Sequence, residues 1–321
     1  MDNKVTRRVA IGTIIGGVVA APFVIYAWKV SRTVKPPRGK FQKEWADMVK
    51  TLDVPIKEID GPSTFTLDFR PQVGMKFRAI SLDAIYEEDS YLAEYPQLPE
   101  FYIISNGQVK AISPIVGNKP ALLVTAEKQT VRARNYFKEE PGGECVVVPK
   151  KDNDGVDYYE AGHGAPKKIP IEKVNRACMN LGSSLAFNYP IGKTLAKGMK
   201  WTIPRTANNS QELPCEIVGF AEVAGRETAK MMVERHLNNQ EIQDRINGYI
   251  QQEKEEKQRT SWKTYLERII KEERTEIIYI TSYVDLKTGL NVRYEWKYMT
   301  HIPKEPKKDS TYIIISQVLE G

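Results

Sequence analysis

The stretch that decides the fold is residues 276–300, EIIYITSYVDLKTGLNVRYEWKYMT. Two apolar, β-branched and aromatic runs, Glu276 to Leu286 and Leu290 to Thr300, flank Lys287-Thr288-Gly289. That arrangement predicts an antiparallel hairpin with a glycine-containing turn. Within the second run Tyr294, Trp296 and Tyr298 alternate, so they share one face of a strand. Such a row either packs in a core or lines an apolar ligand cavity.

Working outward, the same period recurs. Tyr312 to Leu319 is a further strand candidate, as are Thr64 to Phe69 and Lys76 to Leu82, separated by the turn signal Pro71-Gln72-Val73-Gly74. Phe101 to Ile104 and Val109 to Ile112 flank Ser105-Asn106-Gly107, which predicts a hairpin. Ala121 to Val131, Cys145 to Val148, Met199 to Pro204, Cys215 to Ala221 and Glu227 to His236 complete the set.

Helical spacing is confined to three places. Phe41, Trp45, Met48, Val49 and Leu52 form one apolar face, expected to pack on the body. Val174, Cys178, Leu181 and Leu185 mark a helix over 171–185. Asn238 and Asn239 are N-cap candidates for a helix reaching about Glu273. Residues 251–261 of that helix carry no apolar side chain, so it is either solvated there or broken into a hairpin. Strands, helix, strands, inserted helix, strands is not the regular alternation of a parallel α/β fold. The expectation is α+β: a large curved antiparallel sheet, half-barrel-like, with packed helices and a long helix or helical hairpin inserted at about 238–273. Residues 61–321 are read as a single β-rich domain.

Gly74-Met75-Lys76-Phe77 recurs as Gly198-Met199-Lys200-Trp201, followed by the segment Cys215 to Gly225 and by Asp285-Leu286-Lys287-Thr288-Gly289-Leu290. This pattern resembles a group of exported β-rich proteins of planctomycete type, similar in architecture to envelope lipoprotein-carrier half-barrels. The resemblance implies a curved sheet that cradles lipid, and implies no catalytic residues.

The N-terminus reads separately. Residues 9–28 form an apolar run without a charge, long enough for a bilayer core, preceded by Arg7 and Arg8. The pair resembles a twin-arginine export signal. Residues 1–30 are therefore expected to be an uncleaved signal anchor and transmembrane helix, and 31–60 a basic linker with a short amphipathic helix. Lysines and arginines on both sides leave orientation in conflict. The export-type pair and the resemblance favour a body on the exported, periplasmic side; a cytoplasmic body is the alternative.

The chain carries 47 Lys and Arg against 41 Asp and Glu, a net charge of +6. Ten of the basic residues and only three acids fall in residues 1–50, so the rest of the chain is close to neutral. A nucleic-acid binder needs its basic excess on the folded body, so that class is excluded.

Chemistry-bearing motifs are few. Gly192-Lys193-Thr194 lacks the upstream glycine of a phosphate loop, because Phe187 stands there. Asp152-Asn153-Asp154-Gly155-Val156-Asp157 has its glycine in the wrong place for an EF-hand, leaving Asp152, Asp154 and Asp157 as weak metal candidates. Cys145, Cys178 and Cys215 show no metal or redox spacing; three buried thiols, or one disulfide and one free thiol, are both open. No catalytic residue and no cofactor is expected. The function expected is a membrane-anchored envelope protein whose sheet binds a lipid, lipoprotein or protein partner, with Tyr294, Trp296 and Tyr298 as cavity aromatics. The alternatives are an envelope hydrolase using His163 and the Asp152–Asp157 loop, and a structural partner that docks through Ile246, Ile250, Trp262 and Ile269.

Overall fold

In a computed structural model of the chain, residues 38–87, 101–113, 120–133, 136–150, 156–162, 167–185, 192–203, 213–253, 255–306 and 309–319 are described. The fold is α+β: antiparallel strands make one large curved sheet that does not close into a barrel, and four helices pack on it.

The strands are β1 (Ile56–Ile59), β2 (Phe65–Thr66), β3 (Lys76–Glu87), β4 (Phe101–Ile112), β5 (Ala121–Ala133), β6 (Tyr136–Pro149), β7 (Val156–Tyr159), β8 (Thr194–Leu195), β9 (Lys200–Ile203), β10 (Leu213–Val223), β11 (Arg226–Leu237), β12 (Thr275–Asp285), β13 (Asn291–His301) and β14 (Ser310–Leu319). The helices are α1 (Arg38–Leu52), α2 (Arg176–Leu185), α3 (Asn239–Gln252) and α4 (Glu256–Glu272). Twelve strands run in the order β1-β10-β11-β12-β13-β14-β3-β4-β5-β6-β7, with β9 beside β1 on the outer edge of β10. Two meanders, β3 to β7 and β10 to β14, are therefore joined where the last strand pairs with β3. The short strands β2 and β8 pair separately.

The repeated Gly-Met-Lys-aromatic motif starts a strand in the same way twice. Met75 N donates to Gln72 O at 3.0 Å and Met199 N to Ala196 O at 3.1 Å, closing two β-turns. Gly74 (φ +90°) and Gly198 (φ +82°) occupy the position that needs positive φ. Each turn is then stitched to the next long strand, Gly74 to Ala111 and Gly198 to Ile217.

Helices cover both faces. On one, α1 buries Trp45, Met48 and Leu52 against Ile80, Leu82, Ala84, Tyr102, Ile104, Ile313 and Ile315. The other face bears α2 and the α3–α4 pair. Helix α2 lays Ala177, Cys178 and Leu181 over Phe77, Val109, Val124 and Cys145. Ile242 and Ile246 of α3, with Tyr265 and Ile269 of α4, pack on Met231, Val233, Ile278 and Ile280. The long inserted helix breaks after Gln252, and Tyr249 and Trp262 stack 5.1 Å apart across the hairpin. Asn238 and Glu241 form a reciprocal capping box that starts α3.

Four expectations are corrected. The hairpin at Ser105-Asn106-Gly107 is not a turn: β4 runs through it, with a bulge between Asn106 and Gly107. A Cβ on Gly107 would lie 2.6 Å from Thr125 O and 2.7 Å from Leu181, so this glycine serves close approach of α2 and β5. Strand Thr64–Phe69 shrinks to the two residues of β2. The docking arm fails because Ile246 and Ile269 are fully buried. Against the expected transmembrane helix and signal anchor, no helix among the described residues is long and apolar enough to cross a membrane. Residues 9–28, with Arg7 and Arg8, lie outside the described residues.

Candidate binding site on the helix-bearing face

Strand register assembles the site row by row. Across β5, β4, β3, β14, β13 and β12, one row reads Gln129, Ser105, Ser81, Ser316, Tyr294 and Ser282. The next row on the same face reads Ile103, Asp83, Ile314, Trp296 and Ile280, and the third Ile85, Tyr312, Tyr298 and Ile278. Alternation along each strand puts all these side chains on the face that bears α2, α3 and α4.

The first row is polar although it is interior. Gln129, Ser105, Ser81, Ser316 and Ser282 are all buried. Gln129 Nε2 donates to Ser105 Oγ at 3.1 Å, Asn180 Nδ2 of α2 reaches the same oxygen at 3.3 Å, and Ser316 Oγ donates to Ser81 Oγ at 3.0 Å. A sheet face under helices is ordinarily apolar, since buried hydroxyls gain nothing over alanine unless paired. Among the described residues Ser282 Oγ has no partner, and neither has Trp296 Nε1 in the adjoining row.

Asp83 lies beside this row, 8% exposed, with no ion pair or hydrogen bond to its carboxyl among the described residues. Burial alone pushes its pKa up to about 7. Tyr312 is near enough to feel the charge of Asp83. The Trp296 and Tyr312 rings meet at 5.8 Å and 78°, forming the two walls of a corner. Burial pushes the phenols of Tyr294 and Tyr312 well above their usual range. Yet Tyr294, Trp296, Tyr312 and Ile314 are only half-buried. Tyr294, Trp296 and Tyr312 pack at the margin of the core that α3 and α4 cover, partly open rather than sealed within it.

The predicted aromatic row therefore shares one face, as its spacing required, but divides in role. Tyr298 is 1% exposed and abuts an ion cluster: Arg245 Nη2 lies 2.5 Å from Glu276 Oε2, Arg274 Nε 3.0 Å from Glu276 Oε1, and Arg274 Nη2 donates to Thr300 Oγ1 at 2.8 Å. Burial works against the Glu276 carboxylate, but the Arg245 and Arg274 guanidiniums outweigh it and hold its pKa below the usual value. This cluster ties α3 to β12 and occupies the Tyr298 end of the face.

Asp157, the one described member of the acidic loop triad, pairs with Lys168 at 2.8 Å; Asp152, Asp154 and His163 lie outside the described residues. Among the described residues no three His, Cys, Asp or Glu side chains gather as a metal site. Cys145, Cys178 and Cys215 are free, buried thiols. Sequence reading missed Asp83, Tyr312 and the hydroxyl row. Their one signal was phase: Ser81 and Asp83 continue the series begun by Phe77 and Ala79, which puts a carboxylate in an inward phase. No protein-family model matches the chain, and no curated protein matches it.

Proposed function

We propose that this domain is a binding protein for an amphipathic, lipid-like molecule. Its apolar part lies against Tyr312, Trp296, Ile314 and Ile85, and its polar end meets the hydroxyl row and Asp83. The observation that carries the reading is the half-buried aromatic corner of Trp296 and Tyr312 beside a row of buried hydroxyls on one sheet face. Ligand sites characteristically combine such an apolar wall with a few convergent polar groups. The resemblance to half-barrels that cradle lipid in a curved sheet points the same way.

A saturable titration of the full chain with N-phenyl-1-naphthylamine, an apolar fluorophore, tests this reading. One-site binding is expected, weakened roughly tenfold or more by Trp296→Ala or Tyr312→Ala, the loss of a ring worth about 1.5–3 kcal/mol when buried. Absence of saturable binding, or binding indifferent to both substitutions in variants that melt cooperatively, would overturn it.

A further inference from the structure

We propose that the molecule held at this site carries an ammonium group, recognised jointly by the Asp83 carboxylate and the corner formed by Tyr312 and Trp296; the inference rests on the binding reading above. A buried carboxylate with no counter-charge is a standing cost unless something pairs it. The neighbouring cations cannot serve. Arg245 and Arg274 are engaged with Glu276. By strand alternation Arg293 and Lys297 point to the opposite face, where Arg293 is held by Leu52 O, Gln317 Oε1 and Glu295. Where Asp83 is ionised, a cationic group on the ligand would supply the charge that completes it.

Two rings near a right angle, next to a carboxylate, suit an alkylated ammonium in particular. The cation gains attraction from the ring faces, while its methyl or methylene groups are desolvated against the same apolar walls. An anionic or neutral headgroup would leave Asp83 unpaired or force it to take up a proton. The unpartnered Trp296 Nε1 and Ser282 Oγ are left for oxygen atoms further along the headgroup.

The test compares decyltrimethylammonium, decyl sulfate and decyl maltoside, with tetramethylammonium as the chain-free cation, by calorimetric titration of the full chain at about pH 8. All are used below their critical micelle concentrations. Decyltrimethylammonium is expected to bind roughly tenfold or more tightly than the maltoside or the sulfate, from an ion pair and cation–π contact in a desolvated site. Asp83→Asn should remove that preference, and Tyr312→Leu should weaken ammonium binding more than maltoside binding, so the inference does not depend on one variant folding. Equal binding of all three decyl compounds would overturn the ammonium inference and leave the amphipath reading standing. Failure of every decyl compound and of tetramethylammonium to bind would overturn both. Tetramethylammonium binding as tightly as its decyl counterpart would support the ammonium inference and remove the chain from the reading.

Discussion

Ser316 Oγ donates to Ser81 Oγ at 3.0 Å, across the seam where the last strand of the chain meets the first long one. The two residues lie 235 positions apart in sequence, and both are buried. The two meanders are thus joined, at the middle of the helix-bearing face, by a polar contact within an interior row of hydroxyls.

That contact predicts a non-additive pair. Ser81→Ala or Ser316→Ala alone strands one buried hydroxyl and should cost about 1–2 kcal/mol, whereas the double substitution removes both groups and should be close to neutral. Urea unfolding of the three variants measures this. Additive losses would mean that the hydroxyls do not act as a pair.

Asp83 predicts an unusual pH dependence. Its folded-state pKa is raised from 3.8 to about 7, so between those values the folded chain holds a proton that the unfolded chain has released. Asp83 therefore makes stability fall as pH rises from about 4 to 7, by a total on the order of 4 kcal/mol. Asp83→Asn should raise the Tm at pH 8 and leave it nearly unchanged at pH 4. A Tm difference independent of pH would contradict this environment for Asp83.

Glu276 predicts the opposite sign. Its folded-state pKa is lowered, chiefly by Arg245 and Arg274 acting against burial, so its stabilisation is present at neutral pH and is lost as pH falls through the folded value. Glu276→Gln leaves two buried guanidiniums without their carboxylate and should cost roughly 3–5 kcal/mol. Replacing all three charged residues by apolar ones should recover most of that loss, because the pairing of buried charges rather than the charges themselves is what holds the site together. Chemical denaturation of the single and triple variants decides it.

The three thiols should be unreactive in the folded chain. Burial pushes Cys215 up to about 12, and the hydrogen bond between Cys145 and Cys178, together with burial, pushes Cys145 up; the same bond lowers Cys178, which is kept from reagent by its complete burial under α2. Cys178 Sγ donates to Gly143 O at 3.0 Å, which holds it against the sheet under α2. Modification by a thiol-specific disulfide reagent should follow the rate of unfolding, with three thiols titrating in denaturant. A fast-reacting thiol in the native state would contradict this packing.

The sequence made the strands legible wherever period-two alternation was uninterrupted. The hairpin of β12 and β13, turned by Asp285 as its Oδ1 accepts from Lys287 N at 2.8 Å, needed nothing beyond local chemistry. Ser105-Asn106-Gly107 misled because turn residues were also what a bulged strand needs where α2 crosses it closely. The break after Gln252 was visible as a missing apolar face, although not the residue at which it falls. The aromatics of β13 were found because one strand supplies all three. Asp83 and Tyr312 were not, because a site row draws one side chain from each strand and its register is set by pairings that span most of the chain.

The most direct test of the binding site is photo-crosslinking. An alkyl ammonium bearing a diazirine at the end of its chain is bound to the full chain, irradiated, and mapped by peptide mass spectrometry. Adducts are expected to concentrate on residues 83–85, 294–298 and 312–314, and to be competed away by unlabelled decyltrimethylammonium. Adducts scattered over the surface, or gathered on the α1 face around Ile80, Ile104 and Ile313, would contradict a ligand site on the face that bears α2, α3 and α4.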